Sequence, residues 1–239
     1  GDIFGCGDNR YMQLGSVHVA DSSTKSESVV MGVSPRRVPW TSTHMPISVA
    51  CGWQFSAART HGGLVYTWGD NRRGQCAQQY VDSAGAVVSA PTRVQFGPEK
   101  NNVCITSISC GWSHMLAMER SGNVYSWGRS DMGQLGVTIK PPLTGSTGVF
   151  EVDFPQFRPP DARVVKIACG SEHSMAVTSG GDLFTWGWGE HGNLGHGVNS
   201  NERTPRRVAE FGNKNGCYVQ NVVAGGAAVF VHVLRHVFL

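Results

Sequence analysis

One short segment, written four times at a nearly constant step, constrains this chain more than any other feature. It opens the sequence as Ile3-Phe4-Gly5-Cys6-Gly7-Asp8-Asn9. It returns as Val65-Tyr66-Thr67-Trp68-Gly69-Asp70-Asn71, as Val124-Tyr125-Ser126-Trp127-Gly128-Arg129 and as Leu183-Phe184-Thr185-Trp186-Gly187-Trp188. The glycines Gly7, Gly69, Gly128 and Gly187 lie 62, 59 and 59 positions apart. A second mark keeps the step: Ala50-Cys51-Gly52-Trp53, Ser109-Cys110-Gly111-Trp112 and Ala168-Cys169-Gly170-Ser171, with Gly226 in register where the cysteine has been replaced. Two marks in phase divide the chain into four units, approximately 1–61, 62–120, 121–179 and 180–239. Repetition at this period means one supersecondary unit stacked on copies of itself.

Each unit reads as β structure. Between the marks lies a hairpin: Ser56 to Trp68 across Gly62-Gly63, Met115 to Trp127 across Ser121-Gly122, and Ser174 to Trp186 across Gly180-Gly181. Glycine at the tip supplies the positive φ of a tight turn, and Val, Tyr, Phe, Thr and Trp around it favour strands. Alternation sets Leu64, Tyr66 and Trp68 on one side and Val65 and Thr67 on the other, as in a sheet buried on at least one face. Residues 70–75 read as a glycine-turned loop. The runs starting at Pro35, Pro91 and Pro205 (35–38, 91–94, 205–208) read as an outer edge strand entered through proline, which an edge tolerates. No helical periodicity of useful length occurs, so the expected fold is all-β, built from small antiparallel sheets repeated about an axis.

The Trp-Gly-Asp-Asn-x-x-Gly-Gln run at 68–75, the Cys-Gly-x-x-His runs at 110–114 and 169–173, and the step near sixty together resemble the regulator of chromosome condensation (RCC1-like) repeat family. That resemblance covers essentially the whole chain. It implies a seven-bladed β-propeller, of which about four repeats are present. Seven blades turn by roughly 51° each and a closed ring of four by about 90°, a difference every blade interface would feel. The chain is therefore read as an excerpt of a longer propeller. The alternative is that the opening and closing strands pair to complete one blade.

A formal net charge of +3 is too small to point to nucleic acid by itself. The apolar run 229–239 contains Arg235, His232 and His236 and is too short to span a bilayer, so it reads as strand and no membrane partner is expected. Cys51, Cys110 and Cys169 recur once per unit, which suits small buried residues near the axis, and the seven cysteines lack Cys-x-x-Cys spacing. That usage points to a reducing compartment and away from structural zinc. No metal and no cofactor are expected, and no nucleophile, base and orienting acid occur together.

The candidate site residues lie on loops. His114 and His173 recur three positions after their glycines, where unit one has Phe55 and unit four Val229, and read as structural residues tying loop to strand. Between glycine and histidine stand Trp53-Gln54, Trp112-Ser113, Ser171-Glu172 and Ala227-Ala228. The resemblance places these loops on one face around the central channel, where exposed aromatics would anchor a protein partner. In the family's exchange factors, acidic and histidine side chains of these loops contact a Ran-type GTPase, and Glu172 alone matches. Those factors also project a wedge from the turn after a Trp-Gly, whereas the turns 70–75, 129–134 and 188–193 are of ordinary length. A photoreceptor branch of the family carries Gly-Trp-Arg-His-Thr at these loops. Here Gly52-Trp53-Gln54-Phe55-Ser56 and Gly111-Trp112-Ser113-His114-Met115 lack the arginine.

Three long insertions, 16–34, 78–90 and 137–159, separate turns from outer strands, and the third could dock a partner through Phe150, Phe154 and Phe157. Arginine pairs at 36–37, 72–73 and 206–207 add basic points around the rim, leaving DNA or histone contact open. The expected function is a non-catalytic protein-interaction scaffold in a larger chain or assembly. The alternative is guanine-nucleotide exchange on a Ran-like small GTPase, and either way the expected partner is a protein.

Overall fold

The computed structural model describes residues 1–15, 31–78, 86–97, 100, 103–138, 148–155, 163–212 and 215–235, and among them the regular elements are β-strands. No helix there is long and apolar enough to cross a membrane. Strands β1 (Phe4–Asp8) and β2 (Met31–Arg37) form a two-stranded sheet. Three four-stranded antiparallel sheets follow, each in chain order: β3 (Pro46–Cys51) to β4 (Phe55–Thr60), β5 (Val65–Asp70) and β6 (Val87–Arg93); β7 (Ile105–Cys110) to β8 (His114–Glu119), β9 (Val124–Gly128) and β10 (Phe150–Glu151); and β11 (Val164–Cys169) to β12 (His173–Thr178), β13 (Leu183–Gly187) and β14 (Glu202–Arg207). A last hairpin joins β15 (Cys217–Gly225) to β16 (Ala228–Arg235). The sheets are the blades of a β-propeller, and the hairpins expected at Gly63, Gly122 and Gly181 are β4–β5, β8–β9 and β12–β13. The unit boundaries at 62, 121 and 180 fall at those hairpin tips, so the sequence units run two strands out of phase with the blades.

The core lies between blades. Ala57 and Val65 pack against Ile105, Ala117 and Trp127 of the next sheet; Leu116, Met118 and Val124 against Ala176, Phe184 and Trp186; Met175, Val177 and Leu183 against Val219 and Val222. Alternation along a central strand thus sends its side chains to two neighbours, which is why β5 and β13 are buried along their whole length. The sequence accounted for one buried face; the second comes from the adjoining blade.

Three interfaces, those on the preceding side of each four-stranded blade, are pinned by the tryptophan of the repeated mark. The indole N–H of Trp68 donates to the Gln13 carbonyl at 2.9 Å, that of Trp127 to Gln75 at 3.0 Å and that of Trp186 to Gln134 at 3.0 Å, always in the turn of the preceding blade. The hydroxyl one residue before the tryptophan folds that blade's own turn back: Thr67 to the Cys76 carbonyl, Ser126 to Leu135 and Thr185 to Leu194, each 2.6 Å. Gly69, Gly128 and Gly187 take positive φ, at Gly69 and Gly187 where the ladder to the outer strand skips, and a Cβ at any of the three would run into the backbone of the loop opposite.

Several expectations are corrected. Pro35, Pro91 and Pro205 sit inside β2, β6 and β14, not at their entrances. Pro91 and Pro205 fall where the register shifts, so the missing N–H costs no ladder bond. The insertions are correspondingly shorter at their ends, since Met31–Ser34 and Val87–Ala90 already belong to strands. Phe150 lies in β10, the outer strand of its blade, opposite Ser126. It escaped notice because that strand lacks the Pro-x-Arg-Val spelling, although Val152 donates to the Val124 carbonyl just as Val94 and Val208 donate to Val65 and Leu183. Among the described residues the opening and closing strands do not pair: β1 bonds β2, and β15 bonds β16. The three repeated cysteines are not equally buried. Cys169 is buried, Cys110 half-buried and Cys51 exposed, because Cys110 and Cys169 pack against a preceding four-stranded blade whereas Cys51 follows the two-stranded sheet.

These contacts make the indole lock testable. Trp127→Phe keeps an aromatic ring but leaves the Gln75 carbonyl buried without its donor, at a cost of about 1–3 kcal/mol before any cavity term. A lowered urea midpoint at unchanged slope is expected; a midpoint equal to the wild type would remove the indole bond from the account of blade docking.

Candidate partner-binding face

The loops after the second mark are built on a fixed backbone. Gly52, Gly111 and Gly170 each donate their N–H to the carbonyl of the residue three positions on, Phe55, His114 and His173, at 2.9 Å. The side-chain ring of that third residue lies over the glycine, and a Cβ at Gly52, Gly111 or Gly170 would overlap it. This accounts for Phe55 standing where units two and three have histidine: in these three loops a flat ring fills the position over the glycine.

Of the histidines, His114 ties its loop to the next blade. Ser174 Oγ donates to the Gln134 carbonyl at 2.9 Å, so His114 Nε2, 3.0 Å from that oxygen, is the donor and the ring is the Nε2–H tautomer. His114 Nδ1 and both nitrogens of His173 are buried with no partner among the described residues. His173 therefore departs from the expected hydrogen-bonding role and serves as a packed ring. Burial, helped by the neighbouring His173, pushes the pKa of His114 down to about 3, and burial pushes that of His173 down to about 4.

Successive loops are stitched together. Trp53 donates its N–H to the Trp112 carbonyl at 3.2 Å, Trp112 to Ser171 at 2.9 Å and Ser171 to Gly226 at 2.9 Å. The second loop residue is held too, since Gln54, Ser113 and Glu172 accept from the N–H of Asp70, Arg129 and Trp188 at 2.8, 2.8 and 2.9 Å. These main-chain bonds repeat from loop to loop, so it is the side chains that distinguish one loop from another.

Those side chains divide into two sets. Trp53 and Trp112 are 65% and 48% exposed, with ring centroids 5.2 Å apart and planes tilted by 40°. The structure thus brings the two sequence-chosen tryptophans into one exposed aromatic pair. Half-buried Gln54 and Ser113 flank them. Gln54 accepts from Arg72 at 3.1 Å, and Arg72 also bonds Asp70 and covers the Tyr11 ring at 4.5 Å. Glu172 is different. It is buried, its carboxylate bonded to Arg129 Nη1 and Gln134 Nε2, both at 2.6 Å. Burial raises its pKa, against the pull of the Arg129 charge and of both hydrogen bonds. It is committed to an internal network and is not a free contact residue. Arg129 and Gln134 were not foreseen as its partners; the available signal was the change from Asp70 to Arg129 at the same point of the repeat, alongside an acid at 172.

Ala227 and Ala228 do not form a loop of this kind. Gly225 pairs directly with Ala228, leaving the two-residue turn Gly226-Ala227. Phe150 and Phe154 lie apart from the tryptophans, at the outer strand of their blade. Phe154 packs edge-on to Phe184 and Trp186 at 5.7 and 5.9 Å, so its ring belongs to a blade interface; Phe157 is outside the described residues. Much of the rim charge is paired, Arg37 with Asp2, Arg206 with Glu202 and Arg207 with Asp182.

Antiparallel four-stranded blades, interblade indoles and a stitched loop face define a segment of β-propeller. The chain belongs to the RCC1-like domain family, whose model matches residues 1–231. It is 34% identical over 185 residues to the secretion-regulating guanine nucleotide exchange factor of Bos taurus, covering 73% of this chain and 38% of that protein. It is 34% identical over 208 residues to the ultraviolet-B receptor UVR8 of Arabidopsis thaliana, covering 87% and 42%. Among solved structures, Prp20p of Saccharomyces cerevisiae superimposes with a TM-score of 0.76 at 25% identity over 98% of this chain and 52% of that one. The chain spans roughly two fifths of the length of these curated relatives.

The two histidines set a pH dependence. Their folded pKa values lie below the unfolded value near 6.5, so between about pH 6.5 and 4 the unfolded chain takes up protons that the folded chain refuses. Stability should fall as pH drops through that window. His114→Phe with His173→Phe, using the residue already present at Phe55, should flatten the fall in urea titrations at pH 7 and pH 5. An equal fall in the variant would show that the rings are not held neutral.

Proposed function

We propose that this chain is a non-catalytic protein-binding module, part of a larger chain or assembly, that holds its partner on the stitched loop face. The observation that carries this reading is the Trp53–Trp112 pair: two large exposed rings in contact, tilted by 40°, on loops tied together by main-chain hydrogen bonds. Rigid aromatic side chains bury much area for little lost entropy and are the common anchors of protein interfaces. Gln54, Ser113 and Arg72 provide polar groups beside them.

A second reading is guanine-nucleotide exchange on a Ran-like small GTPase. It is favoured by the relatives, one named as a guanine nucleotide exchange factor and another, Prp20p, described with its binding to Gsp1p and histones. Against it stand the ordinary turns after Trp68, Trp127 and Trp186 and the internal commitment of Glu172.

Trp53→Ala with Trp112→Ala tests the first reading. Both rings are exposed, so the double variant should keep its urea midpoint, while partner affinity should fall on the order of tenfold or more. Unchanged partner recovery by the folded variant would remove this face from the interaction. Nucleotide release from a panel of small GTPases tests the second: acceleration of one of them by the chain supports exchange, and release at the rate without added protein across the panel ends that reading.

A further inference from the structure

The loop face around Trp53 and Trp112 carries side-chain donors in excess of acceptors. The indole N–H groups of Trp40, Trp68, Trp127 and Trp186 all end on main-chain carbonyls. Among the described residues no acceptor reaches the indole N–H of Trp53 or of Trp112, and both rings are exposed. Trp112 stands between two described loops, bonded to that of Trp53 on one side and that of Ser171 on the other, and is still 48% exposed. Beside the pair, Gln54 accepts from Arg72 through its side-chain oxygen, while its amide N–H groups and the Ser113 hydroxyl meet no acceptor among the described residues. The neighbouring acceptors are engaged. The carbonyls of Gln54, Trp112 and Ser113 take the main-chain N–H groups of Asp70, Trp53 and Arg129. The carboxylates of Asp70 and Asp131 are paired with Arg72 and Arg129, and that of Glu172 with Arg129 and Gln134.

That imbalance selects the chemistry of what fits. A ligand segment must bring apolar surface for two rings and carbonyl oxygens for the donors, and add few donors or charges of its own. A cationic segment would add donors and would need a carboxylate that is already paired. An acidic segment would meet Arg72 and Arg129 already neutralised. A second copy of this chain, docked face to face about a two-fold axis, would set donors against donors. A polyproline II helix meets every requirement: its prolines bring ring surface and no N–H, its carbonyls are not used within the helix, and its preformed shape loses little entropy on binding. We propose, resting on the protein-binding reading of this face, that Trp53 and Trp112 with Gln54 and Ser113 form a docking site for a proline-rich segment of the partner protein in polyproline II conformation. Its proline rings pack on the indoles, and its carbonyls accept from the indole N–H groups.

The probe is decaproline, titrated into the 239-residue chain and followed through the indole N–H signals in heteronuclear NMR. Saturable shifts of two indole signals are expected, assigned by their loss in Trp53→Phe and Trp112→Phe. Trp112→Phe keeps a ring and removes a donor, so its affinity for decaproline should be about three- to tenfold weaker. Trp53→Ala with Trp112→Ala should weaken binding on the order of tenfold or more, and an unchanged urea midpoint shows that each variant is folded. The proposal is overturned by no shift at millimolar decaproline, by equal binding of decaproline to Trp112→Phe or to the double alanine variant, or by tighter binding of decalysine or deca-aspartate. A dimer in sedimentation that Trp112→Ala disperses and decaproline does not would also overturn it, and would assign the face to a second copy. If decaproline fails while the double alanine variant still loses its partner, the face remains protein-binding and its proline specificity falls. If that variant recovers its partner unchanged, both fall.

Discussion

Everything else in this molecule depends on one contact, the tryptophan of one blade seated in the turn of the blade before it. Four short strands cannot bury both faces of their own sheet, and the indole joins sheets through packing and through a hydrogen bond. The acceptor is a carbonyl held in a turn, and the same turn is fastened to its own blade by the Thr67, Ser126 or Thr185 hydroxyl. Each lock therefore couples the shape of a turn to the position of the next sheet. Stability then accrues interface by interface, as it does in repeat proteins whose units touch only their neighbours.

The sequence disclosed the strands that carry this contact because their signals are local: glycine at the hairpin tip, alternation along β5, β9 and β13, and the Trp-Gly pair. It also disclosed Trp53 and Trp112 as the aromatic members of the loop face. It did not disclose what lies across an interface. Glu172 looked like an available acid because its partners Arg129 and Gln134 come from another segment, about forty residues away. Phe150 and Phe154 looked like an insertion because the outer strand of their blade has lost its usual spelling and kept only the terminal valine. The unequal exposure of Cys51, Cys110 and Cys169 was equally out of reach, since the residues are identical and only their surroundings differ.

The loop face separates two tasks that many binding sites combine. Its backbone is fixed by bonds within each loop, to the neighbouring strand and to the next loop, and its aromatic or imidazole rings are buried beneath the glycines. Residues 53, 112 and 171 can consequently change from tryptophan to serine without altering the path of the chain. A family built this way can acquire different partners by substitution at the loop tips, while the histidines below remain neutral and chemically quiet.

The stitching of the loops has a further electrical consequence. Trp53, Trp112 and Ser171 all donate in the same sense along the arc, each to the next blade. The three bonds point the same way along the row of loops, and each N–H is spent on a carbonyl and not aimed with the others at a common point as at a helix end. The face therefore offers no cluster of free N–H groups from these positions to an anion. A charged partner approaching this face would sense the side chains and very little of the main chain.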